Sequence, residues 1–173
     1  ELLAAWRAGR EELVGAIDRS PSGRKLPWFG PPMSATSMVT ARLMETWAHG
    51  QDVADALTVT RHPTARLRHV AHLGVRTRGF SFAAHGLPTP EVEVRVELTA
   101  PDGALWTFGP PEAGERLTGP ALDFCLLVTQ RRHRSDLDLR ATGPTASRWL
   151  EVAQAFAGPP GPGRRPGQFG RHR

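Results

Sequence analysis

Cysteine and lysine are nearly absent from this chain. The single cysteine, Cys125, excludes an intrachain disulfide and any zinc site built on cysteines alone. Lys25 is the only lysine, so the basic character rests on arginine, and with the abundance of Ala, Gly and Pro this is the residue usage of a high-GC bacterial genome, not a functional device. No run of about 18 uninterrupted apolar residues is present. The N-terminal segment Glu1–Arg7 lacks the charged region and apolar stretch of a secretory signal. The expected location is therefore the cytoplasm, with no membrane partner. No Ser–His–Asp order, phosphate-binding glycine loop or paired-cysteine metal spacing stands out. The chain opens on Glu1 already inside a helical pattern, which reads as a chain trimmed at its N-terminus.

What is present suffices for a core: 39% of the 173 residues are hydrophobic. The net charge of +5 invites a nucleic-acid reading, but Arg164, Arg165, Arg171 and Arg173 all lie in the last ten residues, and the body without them is close to neutral. No residue set reads a base.

Leu2, Leu3, Trp6, Leu13, Val14 and Ile17 recur at helical spacing and predict an amphipathic helix. Prolines and glycines make Ser20–Met33 a loop, apolar through Leu26-Pro27-Trp28-Phe29, which could line a pocket. Ser34 is placed to cap a helix over 35–57. A third helix is predicted over 64–84. From Val92 the period becomes two: Val92, Val94, Val96 and Leu98 alternate with charged residues, Pro101-Asp102-Gly103 is a turn, and Leu105–Phe108 is its partner strand. Leu117–Pro120 leads into a strongly apolar helix over 121–130. Residues 136–141 are a further strand and 145–157 a last helix. The tail 158–173, rich in Gly, Pro and Arg, is expected to be disordered. The chain thus divides near Gly86–Pro90 into a helical part, 1–86, and a small α+β part, 87–157.

The chemistry concentrates at Glu45 and His49. Residues four apart on a helix project from one face, so a carboxylate and an imidazole at this spacing can share one divalent ion, zinc first among them. Met44, Trp47 and Ala48 make the surroundings apolar. Asp52, one turn beyond His49, is placed to accept a ring N–H and fix the tautomer. A solvated Glu–His pair is the plain alternative.

The phrase Ala41-Arg42-Leu43-Met44-Glu45-Thr46-Trp47-Ala48-His49-Gly50-Gln51-Asp52-Val53-Ala54-Asp55-Ala56-Leu57 resembles the mycothiol-dependent maleylpyruvate isomerase-like family, and more narrowly an actinobacterial metal-binding branch labelled for wyosine base formation. Pro27–Ser34 and Thr118–Cys125 support the same branch. The resemblance implies a DinB-like four-helix bundle, here partial and lacking its first helices, followed by a small domain resembling sterol carrier protein. It implies an ion held by an early histidine and a Glu-xxx-His pair. The pair maps onto Glu45 and His49; the early histidine has no counterpart in this chain. It further implies an arginine at the end of the apolar helix that handles an anionic substrate, a role that falls on Arg131, with Arg132 as substitute. The implied activity is a zinc-dependent, mycothiol-assisted isomerase or thiol transferase acting on a small acidic electrophile. A non-catalytic binding module with a structural metal is the alternative. The expected partners are a small-molecule substrate and a low-molecular-weight thiol.

Other candidates carry less. His69 and His72, three apart, sit among arginines that would repel a cation. His62 is a loop residue beside Pro63, and His85 complements a helix end. Cys125, within an apolar run, is a core residue. Trp28, Trp47, Trp106 and Trp149 are packing anchors, with Trp28 and Trp47 also able to wall a pocket.

Overall fold

A computed structural model describes residues 1–27 and 32–169; the reading of Trp28 as a pocket wall lies outside the described residues. The chain forms an α+β structure with two compact units, Glu1–Arg42 and Leu43–Arg173. The division expected near Gly86–Pro90 is not where contacts separate, because the helices over 67–84 pack within the second unit.

In the first unit, α1 spans Leu2–Asp18 as its periodicity predicts. Its apolar stripe faces solvent: Leu2, Leu3, Trp6 and Val14 are exposed, Leu2 at 86%. A stripe is buried only against another apolar face, and the Arg10 guanidinium over the Trp6 ring, 4.8 Å from its centroid, screens only one residue of it. Strand β1, Lys25–Leu26, pairs antiparallel with β2, Met33–Ser34. Ser34 then caps α2 (Ala35–Ala56) as expected, its Oγ accepting the Ser37 N–H at 3.2 Å.

The second unit takes the later part of α2, where Met44, Ala48, Gln51 and Ala54 are buried at spacings of three and four. The single helix predicted over 64–84 is two, α3 (Leu67–Arg76) and α4 (Arg78–Ala84). The break falls at Thr77, whose hydroxyl turns back onto the Leu73 carbonyl and also reaches the Gln154 carbonyl at 2.9 Å. Ser81 Oγ donates to the same Gln154 carbonyl and accepts the Gln154 N–H, so both helices are stitched to the extended segment after the last helix. Propensity carries no trace of a partner 77 residues away.

The sheet is mixed, in the order β4-β3-β5-β6. Strands β3 (Val94–Thr99) and β4 (Leu105–Phe108) form the predicted hairpin. Gly103 holds its turn with φ +84, and Asp102 Oδ1 accepts the Ala104 N–H at 3.1 Å. Strand β5 (Glu115–Pro120) runs parallel to β3, and β6 (Arg140–Thr142) closes the sheet against β5. Most of β5 escapes the sequence reading because its alternating apolar signal is one residue, Leu117, flanked by Arg116 and Thr118. Helix α5 (Ala121–Val128) is buried almost throughout, and α6 (Pro144–Val152) follows. The expected strand over 136–141 is instead a 3-10 turn at Arg134–Asp136 and the short β6.

Helices α5 and α6 cover the sheet, and α3 lies on α5. Phe124 and Trp149 meet edge to face at 5.7 Å in this core. Cys125, fully buried, points its thiol at the Leu67 carbonyl; burial pushes the thiol far up and removes it as a nucleophile. No helix among the described residues is long and apolar enough to cross a membrane.

The approach of α3 to α5 depends on Gly74, where a Cβ would stand 2.9 Å from Val128 Cγ2 and 3.1 Å from Phe124 Cε1. Gly74→Leu is expected to lower unfolding free energy by about 1–3 kcal/mol through overpacking, despite the helix-propensity gain of up to ~1 kcal/mol from replacing glycine. Urea denaturation checks this; an unchanged or raised midpoint would contradict the packing described.

Candidate functional site

Helix α2 presents Glu45, His49, Asp52 and Asp55 at steps of four, three and three, which keeps them near one face. Glu45 Oε2 lies 3.4 Å from His49 Nε2, and Asp52 Oδ2 lies 3.3 Å from His49 Nδ1. Asp52 thus occupies the position assigned to it from spacing. Arg131 Nη2 also stands 3.5 Å from His49 Nδ1, so this ring nitrogen meets both a carboxylate oxygen and a guanidinium N–H. A carboxylate oxygen and an imidazole nitrogen at the Glu45–His49 distance pair through a proton when the ring carries one at Nε2. Donors on a tetrahedral ion at about 2.0–2.2 Å stand about 3.3–3.6 Å apart, so the observed gap fits the bite of such an ion. Among the described residues no group of three His, Cys, Asp or Glu is arranged to hold one. Asp52 does not make a third donor because it faces the other ring nitrogen and its oxygens are already engaged.

They are engaged by arginines. Arg131 grips Asp52 with two donors, Nε to Oδ1 at 3.1 Å and Nη2 to Oδ2 at 2.7 Å, while its Nη1 donates to the Thr129 carbonyl at 2.6 Å. The fork expected to receive an anionic substrate is therefore occupied by Asp52. Arg132, named as its substitute, makes a bidentate pair with Asp55, both contacts at 2.7 Å, with side chains only 2% and 7% exposed. Gln51 Nε2 also donates to Asp55 at 2.8 Å.

The end of α5 explains why two consecutive arginines reach α2. The Arg131 N–H returns to the Leu126 carbonyl and the Gln130 N–H to that of Leu127, both at 2.8 Å, with Gln130 left-handed at φ +58. This is a Schellman closure with glutamine where glycine is usual, a placement that costs ~1 kcal/mol. It reverses the chain so that Arg131 and Arg132 leave the helix axis together.

The segment 158–169, which composition reads as disordered, makes specific contacts. Arg164 Nη2 donates to Asp52 Oδ1 at 2.7 Å. Phe169 lies under both Arg132 and Arg164, with centroid distances of 4.8 and 5.4 Å, and the Gly167 N–H reaches both oxygens of Asp136. Composition misses this because the binding groups are few and their partners sit on α2 and the 3-10 turn. Partial burial works to raise the Asp52 carboxyl, but hydrogen bonds and charge from Arg131 and Arg164 outweigh it and hold it below the usual carboxylate range.

Of the other histidines weighed from the sequence, His69 and His72 are exposed on α3, and His85 closes α4 with Nδ1 2.8 Å from the Ser81 carbonyl. Trp47 is partly buried on the far side of α2, against the loop that follows this helix. The sequence reading missed Asp55 and Arg164. Asp55 carried a signal, since it continues the spacing of Asp52; Arg164 carried none.

Two measurements test the ion pairs. Asp55→Ala leaves the buried Arg132 without its carboxylate and is expected to cost about 3–5 kcal/mol, whereas the double change Asp55→Leu with Arg132→Met costs far less; equal losses in urea denaturation would contradict this. Because the folded Asp52 pKa lies below the unfolded value, its contribution is fully present above about pH 4 and is lost as pH falls through the folded pKa. The Arg164 contact, followed by its side-chain NMR signals, should hold from neutrality to about pH 4 and weaken below; release complete by about pH 5 would refute the assignment.

Comparison with known proteins agrees with these residues. Residues 1–54 match the model for the mycothiol maleylpyruvate isomerase N-terminal domain, and residues 90–142 match that for wyosine base formation. The chain is 60% identical over 164 residues to uncharacterized proteins of Mycobacterium tuberculosis strains CDC 1551 / Oshkosh and ATCC 25618 / H37Rv, an alignment that covers 95% of this chain and 64% of theirs. It thus spans less than two thirds of the length of these relatives. No solved structure matches it. The resemblance read from the segment around Glu45 and His49 holds: residues 1–54 are similar to the mycothiol maleylpyruvate isomerase N-terminal domain and residues 90–142 to the wyosine base formation family.

Proposed function

We propose that the chain is part of a metal-dependent, thiol-assisted isomerase or transferase for a small acidic electrophile, with Glu45 and His49 as two donors to a divalent ion such as zinc and mycothiol as the thiol. The observation that carries this is the approach of Glu45 Oε2 to His49 Nε2 at 3.4 Å, a separation that suits one ion. A bound ion would supply acidification of a thiol or water, giving a nucleophile at neutral pH. In this reading Asp52, 3.3 Å from His49 Nδ1, would hold the imidazole with Nε2 toward the ion, and Arg131 fixes Asp52 by a two-point grip. Arg131 meets a substrate carboxylate only by exchanging Asp52 for it, so its role toward an acid is coupled to the orientation of His49. The third donor and the remaining helices of a DinB-like bundle would come from sequence beyond this chain, and the α+β portion would serve as the sterol-carrier-like partner domain.

A second reading, a non-catalytic small-molecule binding module with a structural metal, is favoured by the internal use of Arg131: its guanidinium is spent on Asp52 and Thr129.

Cobalt(II) titration, read by visible absorption and by calorimetry, should show one saturable site per chain. Asp52→Ala should weaken it by about 10–100-fold, and Glu45→Gln or His49→Ala by more. Binding indifferent to Glu45 and His49 would sink the metal reading. The catalytic reading is tested separately on the longer relatives with zinc, mycothiol and maleylpyruvate: metal binding without thiol-dependent turnover would leave only the binding module.

A further inference from the structure

The face of α2 opposite Glu45 and His49 borders a second polar region, formed with the loop that follows the helix. Between Asp55 and Glu91 the chain contains no acidic residue, while Arg61, Arg66, Arg68, Arg76 and Arg78 and four histidines fall in that stretch. Three of these groups, Arg61, His62 and Arg66, converge with Trp47 and Thr46 on a cleft of about 210 Å³ that no carboxylate lines. Arg61 is held in place: its Nη1 donates to the Trp47 carbonyl at 2.8 Å, its guanidinium lies 5.9 Å from the Trp47 ring centroid, and it crosses α2 at Gly50, where a Cβ would stand 3.3 Å from it. A single donor is used in that contact, so its remaining N–H groups stay available. The amides at the start of α3 are not available, because those of Leu67, Arg68 and His69 already turn back onto the carbonyls of 64–66. Recognition here is by side chains.

Arg61 and His62 also line a larger cleft of about 850 Å³, whose far side carries Thr118, Asp123, Asp138 and Arg140. The two spaces share this pair of residues, one space cationic, the other mixed, where Asp123 Oδ2 accepts the Asp138 N–H at 2.7 Å and Asp138 lies 3.8 Å from Arg140.

We infer that this double cleft binds a phosphorylated, hydroxyl-bearing small molecule, with its phosphoryl group between Arg61, His62 and Arg66 and its polyol body toward Asp123 and Asp138. Two guanidiniums, an imidazole and two threonines line the smaller space together with the apolar Leu43 and Val70, and the polar members are donor-capable groups that suit a phosphoryl oxygen array. Trp47 closes one wall without adding an acceptor. The site shares no residue with Glu45, His49 or Asp52, so it stands whether or not those residues hold a metal.

The test uses the whole chain and amide NMR titration with glucose 6-phosphate, inorganic phosphate, glucose and citrate. Glucose 6-phosphate should bind saturably, with shifts concentrated at 43–47, 60–66 and 118–123, more tightly than inorganic phosphate, and glucose should produce no shift. Arg66→Met, a change at an exposed position, should weaken binding by about tenfold, the loss of one charge-assisted contact, and so should Arg61→Met. His49→Ala should leave it unchanged. The inference is overturned by absence of saturation at millimolar glucose 6-phosphate, by affinity unaffected in Arg66→Met and Arg61→Met, or by citrate binding as tightly at the same amides, which would make the site one for carboxylates.

Discussion

Two carboxylate–guanidinium pairs between α2 and the end of α5 set the geometry on which the candidate site depends. Asp52 and Asp55 stand three residues apart, about 4.5 Å along the helix axis. Arg131 and Arg132 are consecutive, leave α5 through a left-handed glutamine, and take one carboxylate each. The inner pair, Arg132 with Asp55, is nearly solvent-free and gains strength from a low-dielectric surrounding while making loss of either partner costly. The outer pair is half in water and contributes orientation more than stability. Its carboxylate also lies 3.3 Å from His49 Nδ1, so the helix-to-helix clamp and the surroundings of the imidazole are one arrangement.

The same clamp explains the contacts of segment 158–169. Asp52 has more acceptor capacity than Arg131 uses, and Arg164 takes the remainder. Phe169 then lies against two guanidiniums whose N–H edges bond the carboxylates of Asp55 and Asp52, which leaves a π face of each for the ring. Among the described residues, the smaller cleft on the opposite side of α2 is lined by Arg61, His62 and Arg66 and by no carboxylate. One helix therefore separates a face where arginines are neutralised by Asp52 and Asp55 from a face where they are not.

Long periodic elements were legible. The apolar stripe of α1, the run of α2 from its Ser34 cap, the β3–β4 hairpin with its Asp-Gly turn and the apolar α5 follow from local patterns that encode their own conformation. The break at Thr77, most of strand β5 and the early end of α6 were not, since each answers to a distant partner: Gln154 for the break, β3 for the strand, Val128 for the extended residues after α6. Ordinary residues at such positions carry no local mark of what they will meet.

Sequence alone determined that Glu45, His49 and Asp52 would share a helix face, because a fixed turn of 3.6 residues converts spacing into direction. It determined equally that Cys125 would be core and that the family resemblance would centre on the Glu45–His49 segment. Only the tertiary structure decided what those side chains face. Arg131 was placed by its sequence position as a receptor for an external acid, and folding gave it an internal one, since a guanidinium fork binds the nearest well-aligned carboxylate and Asp52 is 79 residues away in the chain but 2.7 Å away in space.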